Sequence, residues 1–288
     1  IQALRICQQK LRRNKVRRMR LVATEACRRA ENGAEFMQRI QRETGLRLEI
    51  IKPEEEAQLA VISCAPLVNR KTHNLLVVDI GGGSTELVWI DISKVPKADR
   101  AQSIMRLHGG FYQAKTDVPA ARVVDWISVP LGVATLRDQF SDVEDDAARF
   151  ALMSWFFEEN LTDFTPYQST QSQDHFQIVG TSGTVTTVAA SHLGLKRYDR
   201  TKVDGLRMSS TQIDKVIHSY LAMGPAGRRA DPRIGQDRQA LIMSGAAILQ
   251  ALMRCWPTNR LSVADRGLRE GLLYAQMSAD GVLEEGLS

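Results

Sequence analysis

The sequence predicts an α/β fold: a mixed sheet flanked by helices, shared between two domains. Three observations carry this. Residues 75–80 form a continuous apolar run closed by Asp79, and such runs are strands buried on both faces. Residues 81–85, three glycines with Ser84 and Thr85, turn the chain into a second strand over 86–91, which reads as a hairpin. Further strand-like runs then alternate with helical stretches to the end of the chain.

Residues 1–15 predict a helix, with Leu4, Cys7 and Leu11 on one face and cations on the other. Residues 20–24 read as a short strand. Asn32 and Gly33 break the chain before a helix over 34–44, which places Phe36 and Ile40 together and ends at Gly45. Residues 46–51 alternate as a strand, and 54–63 follow as a helix. Beyond the hairpin, a strand over 123–129 stops at Pro130, Leu131 and Gly132 and leads to a helix over 133–140. A strand over 176–179 passes through a second glycine element, 180–184, into a helix over 185–193. An apolar helix over 242–253, a short strand over 260–263 and a helix over 265–276 complete the series. Residues 92–122 and 141–175 are weakly patterned; 166–174 reads as an exposed polar loop and 224–238 as another loop. The order strand-strand-strand-helix-strand-helix-strand-helix is that of the ribonuclease-H-like domain of actin-like phosphotransferases, an analogy of fold alone.

Composition bounds the function. With 288 residues, 43% hydrophobic and 25% charged, the chain can bury a sizeable core. It has no apolar stretch of about 18 residues, so no membrane partner is expected, and its first residues lack the features of a signal peptide. Cys7, Cys27, Cys64 and Cys255 form no Cys-x-x-Cys pair and the five histidines have no metal-ligand spacing, which points to isolated thiols in a reducing cytoplasm. The net charge of +5 is uneven. Arg5, Lys10, Arg12, Arg13, Lys15, Arg17, Arg18 and Arg20 occur among the first twenty residues with no acid. Such a block suits a nucleic acid, an anionic membrane surface or a long phosphate chain, or else a solvated helix face. The absence of aromatics among these twenty counts against single-stranded nucleic acid, which needs stacking platforms.

The glycines of Asp79-Ile80-Gly81-Gly82-Gly83-Ser84-Thr85-Glu86 let backbone N–H groups approach a phosphate. Ser84 and Thr85 add hydroxyls, and Asp79 at a strand end can hold a magnesium ion, largely through water. Gly180, Thr181, Ser182, Gly183 and Thr184 open a helix, whose free N–H groups favour an anion. Glu54, Glu55 and Glu56 suit a helix dipole, yet a carboxylate can also deprotonate an attacking water; residue type alone does not choose among them. Arg28 or Arg29 can grip phosphate through paired hydrogen bonds.

Taken in order, Val22-Ala23-Thr24 through Arg28 with Asn32-Gly33, Glu55-Glu56-Ala57, Val78 to Leu87, Val179 to Thr184, and Asp265-Arg266-Gly267-Leu268-Arg269-Glu270-Gly271 resemble the exopolyphosphatase and guanosine pentaphosphate phosphohydrolase family. The resemblance spans most of the chain. It implies Glu56 as catalytic base, Glu86 as a further cleft carboxylate, and Arg28, Gly81, Gly82, Gly83, Ser84 and Thr85 as phosphate-binding. It further implies residues 180–184 as the nucleotide-side loop, Asp79 as metal-associated, Mg2+ as cofactor, and a homodimer. Family members open with a strand and an Asp-x-Gly-Ser/Thr-Asn loop that has no counterpart here. An N-terminally truncated chain is therefore expected, with an incomplete first domain over 1–60 and a second over 61–288 whose last helix packs back on the first. The implied activity is release of terminal phosphate from linear polyphosphate or of the 5′ γ-phosphate from guanosine pentaphosphate. The alternatives are a phosphohydrolase of guanosine pentaphosphate only, a sugar or acetate kinase of the same fold, a non-catalytic binder of alarmone or polyphosphate, and, from the basic block alone, a nucleic-acid binder.

Overall fold

The computed structural model describes residues 1–111, 119–168 and 175–282. The chain forms two compact units, Ile1–Glu56 and Ala57–Ser288, divided within the helix Pro53–Cys64.

The first unit holds helices Gln2–Arg13, Glu25–Arg29 and Gly33–Thr44 and two short parallel strands, β1 (Val22–Ala23) and β2 (Glu49–Ile50). Gly45 ends the third helix with φ 70°, in the left-handed region. The strands predicted over 20–24 and 46–51 contract to two residues each. Their ends turn into helices at Glu25 and Pro53 before more ladder bonds can form. Glu49 N still donates to Leu21 O at 3.0 Å and Ile51 N to Ala23 O at 3.1 Å.

The second unit is built on a six-stranded sheet of β3 (Asn74–Ile80), β4 (Thr85–Asp91), β5 (Arg122–Val129), β6 (Phe176–Thr181), β7 (Arg207–Met208) and β8 (Leu261–Ala264). The order across it is β5-β4-β3-β6-β8-β7. β3, β6 and β8 run parallel; β4, β5 and β7 are antiparallel to their neighbours. One face packs Leu75, Val77, Val88, Ile90 and Val179 against Ala57, Val61 and Cys64 of the helix Pro53–Cys64. The other packs Leu76, Val78, Leu87, Trp89 and Ile178 with residues of helices Val133–Gln139, Asp146–Glu159, Gly183–His192 and Ile242–Cys255. Burial on both faces is why β3 reads as an unbroken apolar run.

The weakly patterned regions contain structure the sequence hides. Arg100–Met105 and Asp146–Glu159 are helical. In the second, Phe150, Met153 and Phe157 are buried while Leu152 and Trp155 are exposed, so apolar residues circle the helix and blur its period. The loop expected from 224 starts later: Ser210–Ala230 is helical around a break at Gly224 (φ 63°, ψ 179°) ahead of Pro225. The expected loop over 166–174 falls largely outside the described residues. The final helix begins at Leu268 rather than 265, because Glu270 accepts from Gly267 N at 2.9 Å and caps it.

The glycine turn between β3 and β4 is held from below by the helix Val133–Gln139. Val133 N donates to Gly81 O and Ala134 N to Gly82 O, both at 2.9 Å. Only a residue without a β-carbon fits before this helix: a Cβ on Gly132 would lie 2.5 Å from Gly81 O and from Gly82 C. Gly82 itself faces open space, with nothing within 4 Å of a Cβ. Gly132→Ala should therefore destabilise by about 1–3 kcal/mol, the range for forced overpacking, whereas Gly82→Ala should leave the urea midpoint almost unchanged. Equal midpoints for the two variants would contradict this packing.

Candidate functional site

In the first unit the functional candidates meet around one guanidinium. Glu25 and Arg28 lie on the short helix that follows β1, and Glu56 lies in the first turn of the helix after β2. Parallel pairing of β1 with β2 brings these two helix starts to one end of the strands. Arg28 donates from Nε and Nη2 to Glu25 Oε2 at 3.1 and 3.0 Å, from Nη2 to Glu56 Oε2 at 2.9 Å, and from Nη1 to Ile51 O at 2.7 Å. Four of its five N–H donors are thus engaged. The side chains are 12–15% exposed. Burial pushes the Glu56 carboxyl above the usual carboxylate range, and its bond to Arg28 offsets only part of that. For Arg28 burial acts downward, but the bonds to Glu56 and Glu25 outweigh it and keep the guanidinium charged.

The structure separates the three acids. Glu56 pairs with Arg28, and Glu55 accepts from Arg20 at 2.5 Å. Arg28 and Arg29 also part: Arg28 is enclosed, while Arg29 reaches Glu25 only at 3.8 Å and is 57% exposed.

In the second unit, sheet register aligns a polar row. Glu86 pairs with both Ser128 and Asp79, Asp79 with Thr181, and Thr181 with Ala264. Residues directly opposite share a face, so these side chains line up at the carboxyl ends of β3, β6 and β8. A crevice in that position is where open α/β sheets bind ligands. A cavity of about 210 Å3 opens there, lined by Asp79, Thr181, Ser182, Gly183, Arg238 and Gly267 among others.

The two glycine elements behave differently. In the first, the carbonyls of Gly81 and Gly82 are drawn to the helix Val133–Gln139, and Gly81 N bonds Ser84 O at 2.9 Å. Among the described residues, the N–H groups of Gly82, Gly83 and Ser84 meet no backbone carbonyl. Those N–H groups, rather than the hydroxyls, can meet an anion. The hydroxyls expected to bind phosphate are committed elsewhere: Ser84 Oγ donates to Glu86 Oε1 at 2.7 Å, and fully buried Thr85 donates to Leu131 O at 2.8 Å. Each hydroxyl has one proton to give, so Thr85 is a structural residue and Ser84 offers its backbone. Glu86, 2% exposed, also accepts from Ser128 Oγ at 2.8 Å. It does not line the cavity, and its visible work is to hold Ser84.

In the second element, Thr181, Ser182 and Gly183 reach the cavity. Gly180 does not: it lies inside β6, where a Cβ would meet the Val185 side chain at 3.2 Å. The Thr184 side chain is buried against Gly245. Both make packing contacts, and neither is among the residues lining the cavity. Ser182 holds φ 116°, ψ 170°, and its side chain caps the helix by accepting from Thr184 N at 3.2 Å.

Several participants were missed in the sequence. Gly132 supports the loop, Glu25 holds Arg28, the partner of Glu56, and Ser128 donates to Glu86. Arg238 lies across Gly183, whose Cβ would fall 1.7 Å from Arg238 Nη1. Beside it Arg266 is ion-paired with Asp204, and its carbonyl accepts from Thr181 Oγ1. Glu25 and Arg266 lie inside quoted motifs without a role being assigned to them, and no local pattern marks Gly132, Ser128 or Arg238, because each acts from a different segment.

Oxygen chemistry at this cavity fits magnesium. Asp79 is a hard carboxylate donor beside the hydroxyls of Thr181 and Ser182. Among the described residues no three His, Cys, Asp or Glu side chains gather as a metal cluster. A single carboxylate completed by water and phosphate oxygens suits Mg2+, which sheds water reluctantly.

The profile of the Ppx/GppA phosphatase family matches residues 1–280. A guanosine-5'-triphosphate,3'-diphosphate pyrophosphatase of Aeromonas salmonicida is 26% identical over 261 residues, covering 89% of this chain and 44% of the relative. Exopolyphosphatase 1 of Mycobacterium leprae is 23% identical over 266 residues, covering 90% of this chain and 68% of the relative. The chain thus spans less than half the length of the first of these relatives. Among solved structures, the Aquifex aeolicus Ppx/GppA family member superposes with TM-score 0.72 at 28% identity, covering 97% of this chain and 80% of that one. An exopolyphosphatase of Cytophaga hutchinsonii shares the fold, with TM-score 0.75 at 21% identity over 98% and 81% of the two chains.

The backbone at Ser182 makes a testable claim. Strain of this kind costs about 1–3 kcal/mol, and replacing a cap by glycine costs only a few tenths. Ser182→Gly should therefore raise the urea midpoint, on the order of 1 kcal/mol of stability. Ser182→Ala keeps the strain, loses the cap and should cost about 0.5–2 kcal/mol. A glycine variant less stable than the alanine one would refute the strained geometry.

Proposed function

The chain belongs to the Ppx/GppA phosphatase family, and from that premise we propose that it hydrolyses phosphoanhydride bonds, releasing terminal phosphate from linear polyphosphate or the 5′ γ-phosphate from guanosine pentaphosphate. The observation that supports this most is the 81–84 loop beside Asp79, with two carbonyls tied back and three N–H groups left for an anion.

Phosphoryl transfer demands positioning and charge stabilisation more than covalent protein chemistry. In this reading Glu56 takes the proton of the attacking water. A base with a raised pKa holds that proton better during attack. Arg28 holds the Glu56 carboxylate in one orientation. To grip phosphate as well, Arg28 would exchange one of its present carboxylate bonds. The N–H groups of Gly82, Gly83 and Ser84 receive phosphoryl oxygens, and the start of the helix Gly183–His192 favours a second anionic group. Asp79 would hold magnesium, which when bound neutralises charge on phosphate oxygens.

The direct test is phosphate release from polyphosphate and guanosine pentaphosphate side by side, with magnesium. Glu56→Gln should lower kcat by roughly 10²–10⁴-fold, the scale of a lost general base. Glu54→Gln and Glu55→Gln should do far less; equal losses in all three would remove the assignment.

The pH profile gives a second check. A base must be ionised, so kcat/KM should fall as pH drops through the Glu56 pKa. Burial raises that pKa, so the acidic limb should lie above the ordinary glutamate value of about 4.3. Arg28→Met removes the opposing hydrogen bond and charge, and the limb should move further up. A downward movement would show that Arg28 does not act on Glu56.

A further inference from the structure

The basic block at the start of the chain is not absorbed by the hydrolytic site. Two of its members are neutralised: Arg5 pairs with Glu43 at 2.7 Å, and Arg20 pairs with Glu49 and Glu55 at 2.6 and 2.5 Å. Lys10, Arg12, Arg13, Lys15 and Arg17 have no ion-pair partner among the described residues. A helix C-terminus favours cations, which accounts for Lys10, Arg12 and Arg13 in the last turn of Gln2–Arg13. It does not account for Lys15 and Arg17 beyond the helix.

Of these cations, Arg12 and Lys15 border a groove. After Asn14 the chain doubles back: Lys15 N donates to Arg12 O at 3.0 Å and Val16 N to Leu11 O at 3.1 Å, with Lys15 at φ 50°. The fold-back sets Arg12 and Lys15 beside Arg47 around a groove of about 460 Å3. None of its lining residues is acidic, and Leu11, Val16, Met19 and Leu46 supply apolar walls. A cleft of one charge sign with low-dielectric walls focuses its field and concentrates counter-ions. The groove precedes β1, whereas Glu25 and Arg28 follow it, so groove and Glu56 cluster occupy opposite ends of that strand.

We propose that this groove is an exosite for the distal part of a linear inorganic polyphosphate chain, whose terminal phosphate is the one hydrolysed. The inference rests on the phosphohydrolase reading above. Polyphosphate carries a charge on every unit and no base to stack. The groove offers cations and no aromatic residue, so it lacks the platforms that single-stranded nucleic acid uses. Anchoring here would tether long substrates and leave short ones unaffected.

The test uses the whole chain, an Arg12→Ala/Lys15→Ala/Arg47→Ala variant, and Lys15→Glu alone as a milder change at an exposed turn. The probes are a long polyphosphate and tripolyphosphate. For the triple variant KM on the long substrate should rise tenfold or more with kcat unchanged, while tripolyphosphate kinetics stay as in wild type. Lys15→Glu should shift the same way, less far. In direct binding of the long chain, the slope of log K against log salt should shrink by about 2, at roughly 0.7 per lost contact to a single strand. Wild-type binding of long polyphosphate by both variants would overturn the exosite, as would equal losses on long and short substrates. Single-stranded DNA bound more tightly than polyphosphate, and lost in the triple variant, would overturn it in favour of a nucleic-acid surface. If the wild type releases phosphate from neither substrate, the hydrolytic reading fails, and the binding measurement still decides the exosite.

Discussion

Two backbone hydrogen bonds, from Val133 and Ala134 to the carbonyls of Gly81 and Gly82, decide which way the glycine turn faces. A flexible triple glycine between two strands could otherwise present carbonyls or N–H groups to solvent. Fastened to a helix start by its carbonyls, it presents N–H groups, and an anion rather than a cation is the complementary ligand. The fastening depends on the close approach at Gly132, on Thr85 reaching Leu131 O, and on Glu86 gripping Ser84. The last two use polar groups that would otherwise be free for substrate.

The first unit follows a comparable economy. A partly buried arginine shared by two carboxylates carries a desolvation cost, and such pairs add little net stability compared with apolar packing. Their value is orientation. Arg28 is held by Glu25 and by Ile51 O as well as by Glu56, so the Glu56 carboxylate has a fixed neighbour. Its raised pKa follows from the same burial. The polar groups of the basic groove show the opposite arrangement, with cations and no acids to meet them. One charge cluster is internally satisfied; the other is lined by Arg12, Lys15 and Arg47 with no acid among the lining residues.

Much of this was legible in the residues. The hairpin of β3 and β4 was readable because burial on both sheet faces leaves an unbroken apolar run, and three glycines mark its turn. The helix Gly33–Thr44 was readable from one apolar face and from Gly45. The helix Asp146–Glu159 was not, because its apolar residues face both the core and solvent. β7 was not, because two residues carry no period. At the site, the residues singled out Asp79 and the two glycine elements, and the family resemblance chose Arg28 over Arg29. The sequence could not tell that Gly180 and Thr184 face packing partners while Thr181 to Gly183 face the cavity, since consecutive positions differ only in direction.

By itself, then, the sequence determined the class of fold, the places where backbone could approach a phosphate, and the acids and cations on offer, because propensity, periodicity and charge are local properties. Only the tertiary structure decided how those groups are spent. The pairing of Asp79 with Thr181 comes from sheet register between strands far apart in the chain. The choice of Glu56 over its neighbours as partner of Arg28 comes from two parallel strands that end together. A hydroxyl or guanidinium has a fixed number of protons to donate, and which acceptors lie within reach depends on which segments folding has brought side by side.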